Sequence, residues 1–242
     1  KAEAELANLA KDQFLATLSH ELRTPLSTML MQAQMLRKVE DAKARRAGEA
    51  IERGTRMQVQ LIDDLLDVSR IVAGKLSLEM QAVDLRTIIR AAIEALRTPV
   101  ERKSIKLELA LDDSVGNISG DPTRLQQIVS NLLTNAIKFT PEGGRVTVAL
   151  EEADGRALLT VSDTGMGIAP EFLPQVFNRF SQEDGSTTRT FGGLGLGLAI
   201  VKHLVTAHGG TVRAESPGPG QGATITVAIP LMPVSEEIDD VV

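Results

Sequence analysis

The chain has 242 residues, with 26 Lys and Arg against 32 Asp and Glu for a net charge of −6; this is about one and a half domains of ordinary size, enough to bury about 70% of the unfolded surface without disulfides or metal. The absence of Cys rules out disulfides, iron–sulfur clusters, thiolate zinc sites and Cys nucleophiles, while six Phe with neither Tyr nor Trp, in a mildly acidic chain, argue against nucleic-acid binding. No apolar run of about 18 residues is present to span a membrane, no signal peptide is visible, and the start at Lys1, without Met and already in a helical pattern, reads as a piece of a longer protein.

Residues 1–75 carry 12 basic and 11 acidic side chains, and the remainder carries 14 and 21. Nearly all Gly and Pro fall in the second part. Two domains of different construction are therefore expected, residues 1–75 and 76–232, joined near Gly74-Lys75 and followed by an acidic tail or linker over 233–242.

The first domain reads as two long helices joined by a turn near residues 40–45. Leu15, Leu22, Met29 and Leu36 recur every seven residues, with Leu18, Leu26 and Ala33 filling the same stripe. A second stripe runs through Ile51, Thr55, Ile62, Leu65, Ser69 and Val72, with Val59 and Leu66 beside it. Such spacing packs helices along their length. One hairpin cannot bury both stripes, so a dimer closing a four-helix bundle is expected; periodicity alone is equally compatible with a coiled-coil linker.

From residue 76 the signals alternate. Leu76-Ser77-Leu78 and Ile105 to Leu109 have strand spacing, and Asp84 reads as the cap of a helix to about residue 102. Asp121-Pro122 starts a helix that runs to Phe139, with Asp as cap and Pro in the first turn, where no N–H bond is lost. Arg145 to Glu151 and Arg156 to Ser162 form a hairpin turning at Ala153-Asp154-Gly155. Leu194 to Ala207 is a helix ended by Gly209-Gly210, and Thr211 to Glu215 and Ala223 to Ile229 are strands. Helices follow strand pairs, so the fold class is α+β: a helical hairpin followed by an α/β sandwich.

Four groups of residues could carry chemistry. His20 lies off the buried stripe, with Glu21 beside it to accept from Nδ1 and leave Nε2 nucleophilic. Thr24 is one turn on, and Pro25 removes the N–H that would bond the Glu21 carbonyl. A bare His-Glu pair is more often a solvated surface pair; a Pro inside a strong heptad pattern, costing about 3 kcal/mol, shifts the balance toward function. Asn131, Asn135 and Lys138 fall within about 60° of one another on the helix. Two carboxamide oxygens and an ammonium suit a hard cation with phosphates, though an ordinary polar face has the same look.

Asp163-Thr164-Gly165-Met166-Gly167 follows a strand and is either an acceptor set in a cleft or a simple turn. Gly192 to Gly197 opens a helix, where glycines let amides approach phosphate oxygens, but no strand precedes it as a dinucleotide fingerprint requires. Between these two runs lies a long polar segment, Asn178 to Phe191. Such segments often act as lids, and Arg189 within it is placed either to reach a phosphate or to serve the surface. His203 and His208 show no ligand spacing and read as structural.

Taken together, these runs resemble the motifs of sensor histidine kinases. Phe14 to Leu26, around His20-Glu21-Leu22-Arg23-Thr24-Pro25, resembles the H box. Asn131-Leu132-Leu133-Thr134-Asn135-Ala136-Ile137-Lys138-Phe139 resembles the N box. Asp163 to Gly167 resembles the first glycine box, Phe177-Asn178-Arg179-Phe180 the F box, and Gly193 to Gly197 the second glycine box. Order and spacing agree across nearly the whole chain.

The resemblance implies a dimerisation and phosphotransfer bundle followed by a catalytic ATP-binding domain of the GHKL type, acting as a homodimer with ATP and Mg²⁺. It implies phosphorylation of His20, Glu21 as its orienting base, and Thr24 positioning water for dephosphorylation of a partner. Asn135 would hold Mg²⁺ with help from Asn131, and Lys138 would contact phosphate. Asp163 would read the adenine amino group, supported through water by Thr224. The glycines (Gly165, Gly167, Gly193, Gly195, Gly197) and Arg189 would line the nucleotide.

The implied partner is the receiver domain of a response regulator, and the implied location is the cytoplasm, within or apart from a longer sensor protein. The segment holding Ser186-Thr187-Thr188-Arg189 resembles that of hybrid kinases, whose next domain is a receiver. Leu194 departs from the Thr common in relatives, which removes a hydroxyl near the phosphates. A GHKL ATPase is the competing reading. It would need a Glu four residues before Asn135, where this chain has Asn131.

Overall fold

The computed structural model describes residue 22 and residues 26–36, 38–181 and 195–233. The chain falls into two compact units that divide between Ser77 and Leu78.

The first unit is a helical hairpin. Helix α1 spans residues 26–36 and α2 spans Ala42–Val72. The expected turn at residues 40–45 lies earlier, at 38–41, because Asp41 caps α2 by accepting from the Lys43 amide at 2.9 Å. Gly74 ends α2 in the left-handed region, its N–H donating to Ile71 and that of Lys75 to Arg70. Leu26 and Ala33 of α1 and Gly48, Glu52, Thr55, Val68 and Ile71 of α2 are buried. Leu22, Met29, Ile51, Leu65 and Val72, from the same heptad stripes, are exposed in the single chain.

The second unit is a mixed five-stranded sheet carrying helices. The strands are β2 (Lys106–Leu111), β4 (Arg145–Ala153), β5 (Arg156–Asp163), β6 (Thr211–Glu215) and β7 (Ala223–Pro230), in the order β2-β4-β5-β7-β6. β2 and β4 run parallel; the other pairs are antiparallel. The alternating residues Val146, Val148 and Leu150 of β4 and Ala157, Leu159 and Val161 of β5 are buried, as expected of strands with one face under a helical layer.

The helices are α3 (Leu85–Ala95), α4 (Arg97–Arg102), α5 (Pro122–Phe139) and α6 (Gly197–Ala207). α5 packs between α3 and α6 and against β5. It buries Leu125, Ile128, Val129, Leu132, Leu133, Ala136 and Ile137, and each large aliphatic among them contributes about 1.5–3 kcal/mol. Asp121 caps it, accepting from the amides of Thr123 and Arg124 and, from across the fold, of Glu79. Burial pushes the Asp121 carboxyl up, but these three N–H bonds and the Arg124 charge outweigh it and hold the group below its ordinary value.

Three further sequence expectations are corrected. The helix expected from Asp84 to about residue 102 is two helices meeting at Leu96. Pro99 lacks an N–H and its ring clashes with the carbonyl four residues back, at Ala95, so α3 stops there and Pro99 sits in the first turn of α4. Leu76 to Leu78 is irregular; the strand forms later, as β1 (Gln81–Val83), because its partner β3 (Ile118–Gly120) pairs with that stretch. α6 begins at Gly197 rather than Leu194, since Gly195, at φ +68, and Leu196 precede the helix.

Candidate nucleotide site

The carboxamide helix and the second glycine run meet. The Asn131 amide nitrogen donates to the carbonyl of Gly197, the first residue of α6, at 3.4 Å. A Cβ on Gly197 would lie 3.9 Å from Asn131 and 4.0 Å from Asn135. The start of α6 thus lies within ordinary contact distance of both carboxamides. Asn131 and Asn135 are both half-buried, and this polar part of α5 lies against the N-terminus of α6. That terminus presents unsatisfied amides and the positive end of a dipole.

The first glycine run closes on the other end of α5. The Asp163 carboxylate accepts from the Gly165 amide at 2.8 Å and from the Ala223 amide. Burial nevertheless dominates and pushes its carboxyl above the ordinary value. Gly165 is wedged between Asp163 and the end of α5: a Cβ there would lie 2.5 Å from the Phe139 carbonyl. The Met166 amide donates to that same carbonyl at 3.3 Å. Lys138, half-buried and pulled below its ordinary value by desolvation, holds its Nζ 4.7 Å from the Phe139 ring centre.

Gly167 belongs to a clasp with residues 216–222. It has φ +70, and a Cβ on it would fall 2.0 Å from the Gly218 carbonyl. Gly222 donates to Gly165, and Gly220 to Met166. Ser216 ties the clasp, its hydroxyl donating to Gly222 at 2.7 Å and accepting from Ile168 at 3.0 Å. Gly195 joins the last residue of the F box: its carbonyl accepts from the Phe180 amide at 3.1 Å.

Thr224 is not brought to Asp163. Asp163 pairs with Ala223, while Thr224 pairs with Ser162 and shares a 2.9 Å hydroxyl bond with it. Successive strand residues point to opposite faces, so Thr224 lies on the far side of the sheet from Asp163. The sequence reading also passed over Ala223, Ser216 and Gly222; only the glycines carried a signal, as a cluster before a strand. His20, Glu21, Thr24, Arg189 and Gly193 lie outside the described residues.

Donors and acceptors of this set fit a magnesium–nucleotide: carboxamide oxygens for a hard cation, amides for phosphates, and a recessed carboxylate for an exocyclic amine. No helix among the described residues is long and apolar enough to cross a membrane.

The second unit therefore has the architecture of an ATP-binding α/β sandwich, preceded by a helical hairpin. Residues 120–233 match the family of histidine kinase-, DNA gyrase B- and HSP90-like ATPases, and residues 10–74 match the His Kinase A (phospho-acceptor) domain. The chain is 41% identical to the circadian input-output histidine kinase CikA of Synechococcus elongatus over 98% of its length and 32% of that protein's. It resembles full-length ShkA in complex with AMPPNP, with a TM-score of 0.73 and 35% identity over 90% of this chain and 45% of that one. It also resembles the mycobacterial sensor histidine kinase MprB, with a TM-score of 0.54 and 36% identity over 62% of this chain and 97% of that one. The chain belongs to the sensor histidine kinases, and it spans 18% to 32% of the length of the first curated relatives it matches.

Proposed function

We propose that this chain transfers the γ-phosphoryl group of ATP to His20 and passes it on to an aspartate of a response regulator. The observation that carries this reading is the meeting of Asn131 and Asn135 with the start of α6 at Gly197. It supports the reading because carboxamides suited to a hard cation meet a helix N-terminus suited to phosphates, on the same unit as the Asp163 carboxylate.

The carboxamide oxygens of Asn135 and Asn131 would hold Mg²⁺, which would supply neutralisation of phosphate charge. Asp163 accepts the adenine amino group and Lys138 pairs with phosphate. Gly165, Gly167, Gly193, Gly195 and Gly197 let the backbone approach the nucleotide, and Arg189 reaches its phosphates. Glu21 accepts from Nδ1 of His20, so that Nε2 keeps its lone pair. Nε2 then forms a bond to the γ-phosphorus in line as the bond to the bridging oxygen breaks, and ADP leaves with that electron pair. The Nδ1 proton passes to Glu21. Thr24 orients water when the regulator's aspartyl phosphate is hydrolysed.

Residues 1–75 serve dimerisation and phosphotransfer, residues 76–232 bind ATP, and 233–242 serve as linker. A homodimer is supported by Leu22, Met29, Ile51, Leu65 and Val72, an exposed apolar set at heptad spacing in one chain. The chain works in the cytoplasm.

The competing reading, an ATPase, is opposed by Asn131, whose amide is too weak a base to take a proton from water. Incubation with γ-labelled ATP tests both. Acid-labile, alkali-stable label on the protein, lost in His20→Ala, is the expected result. Free phosphate without protein label would overturn the kinase in favour of the ATPase, and bound nucleotide without either would leave a scaffold.

A further inference from the structure

An α-helix leaves its last four carbonyls without intrahelical partners. In α5 the C-terminal carbonyls are met from three directions. The Ala136 carbonyl accepts from the amide of Thr140 at 3.0 Å and from its hydroxyl at 2.6 Å. The Phe139 carbonyl accepts from Met166. The carbonyls of Ile137, Lys138 and Thr140 each accept from one atom, the Nζ of Lys103, at 2.8 Å.

Lys103 is 34 to 37 residues away in the chain. Its own backbone is clamped where α4 ends: its N–H donates to Pro99 at 3.2 Å, and its carbonyl accepts from Gly143 at 2.9 Å. Ser104 follows in the left-handed region at φ 49 and turns the chain into β2. The ammonium is thus aimed from a fixed point, unlike an ordinary surface lysine with a flexible stem. Burial and the neighbouring Arg102 pull it below its ordinary value. It nevertheless lies where a cation is favoured, at the negative end of the α5 dipole.

The middle one of its three acceptors is the carbonyl of Lys138. The neighbouring Phe139 carbonyl is held by Met166, so the adenine side of the cleft has its own anchor. We infer that Lys103 is a positioning residue for the nucleotide phosphates: its Nζ, bonded to the carbonyls of Ile137, Lys138 and Thr140, fixes the main chain from which Lys138 projects. This rests on the nucleotide reading above.

The test measures binding of Mg·ATP and of adenosine to the full chain and to Lys103→Met, which keeps the stem and removes the ammonium. Lys103→Met should weaken Mg·ATP binding about tenfold and adenosine binding less than about twofold. In a Lys138→Met background its further effect should fall below about twofold, the non-additivity of residues acting as a unit. A general loosening of the fold would instead weaken both ligands alike in either background, and that result overturns the inference. So does unchanged Mg·ATP binding by Lys103→Met beside a wild type that binds. A folded wild type that binds no Mg·ATP overturns the nucleotide reading itself, and this inference with it. If Lys103→Met melts too low to measure, Lys103→Gln, which retains two N–H donors, should lose about threefold, again only when Lys138 is present.

Discussion

The imidazole of His208 and the main-chain amide of Asp121 are bonded at 3.1 Å across 87 residues of sequence, Nε2 accepting. The other ring nitrogen, Nδ1, is 2.7 Å from the Leu204 carbonyl, which can only accept, so the ring proton sits on Nδ1. One buried side chain thereby ties the C-terminus of α6 to the N-cap of α5. The ring fits because Gly120 is small: a Cβ there would lie 3.0 Å from the imidazole and 2.7 Å from Leu125.

His208→Leu keeps the volume and removes both side-chain bonds; the Leu204 carbonyl keeps the main-chain N–H of residue 208 at 3.1 Å, while the Asp121 amide is left without the imidazole. An orphaned buried amide costs about 1–3 kcal/mol, and the variant should lose about that much in urea unfolding of the ATP-binding unit. A loss under about 1 kcal/mol would show that the bond contributes little to joining the two helices.

Asp163 gives a prediction with a pH sign. Its carboxyl is pushed up by burial, against N–H bonds from Gly165 and Ala223. The folded state therefore holds the proton to higher pH than the unfolded chain does. The penalty for ionising it is absent below the unfolded value, grows as pH rises, and is complete above the folded value. Whatever its constant offset, Asp163→Asn should gain stability relative to wild type as pH rises from the carboxylate range to neutrality. It should also weaken ATP binding by about 30-fold or more, the worth of a hydrogen bond to a charged group in a recess. Parallel melting curves across pH check the first claim, and a flat difference between the two proteins contradicts it.

The glycine clasp separates space from conformation. Gly222 and Gly155 both have positive φ, at +75 and +68. A Cβ on Gly222 would lie 1.9 Å from the Asp163 carbonyl, while one on Gly155, at the β4–β5 turn, would meet nothing within 4 Å. Gly155→Ala should cost only the left-handed penalty of about 1–2 kcal/mol and leave ATP binding intact. Gly222→Ala adds a clash with the Asp163 main chain. It should lose more than about 3 kcal/mol and abolish ATP binding. Equal costs for the two variants would mean that the clasp yields easily.

How much of this was legible in the sequence depends on how local each cause is. Asp121, Pro122 and the apolar spacing through Ala136 set α5 at its observed bounds, because a cap and a helical period act within a few residues. The hairpin of β4 and β5 announces itself through alternation and its Asp154-Gly155 turn. Three-residue strands such as β1 and β3 contain too little sequence for a period, and their pairing is a long-range choice. The break at Leu96 was readable from Pro99, four residues past Ala95, yet the apolar pattern masks it.

In the site, the meeting of Asn131 and Asn135 with Gly197 agrees with the polar face read from spacing. Thr224 failed on parity. Whether a strand residue faces a site depends on its cross-strand register, and only the Asp163–Ala223 pair reveals it. Lys103 had no signal at all, because the carbonyls it bonds lie more than thirty residues away.

The last prediction concerns the hairpin. Ile51 and Leu65 of α2 are 44% and 41% exposed in the single chain, whereas Thr55 between them is 4% exposed. A line of apolar residues left open beside a buried one is the signature of a helix that packs on two sides. The two sides should respond differently to charge. Ile51→Glu combined with Leu65→Glu places carboxylates in the interface between copies and should convert a dimer into a monomer by light scattering, with the melt of the ATP-binding unit unchanged. Thr55→Glu forces a charge inside the hairpin itself, where burying it unpaired costs several kcal/mol, and should lower helical content before any change in the ATP-binding unit. A double Glu variant that remains a dimer would move the interface to another face of the bundle.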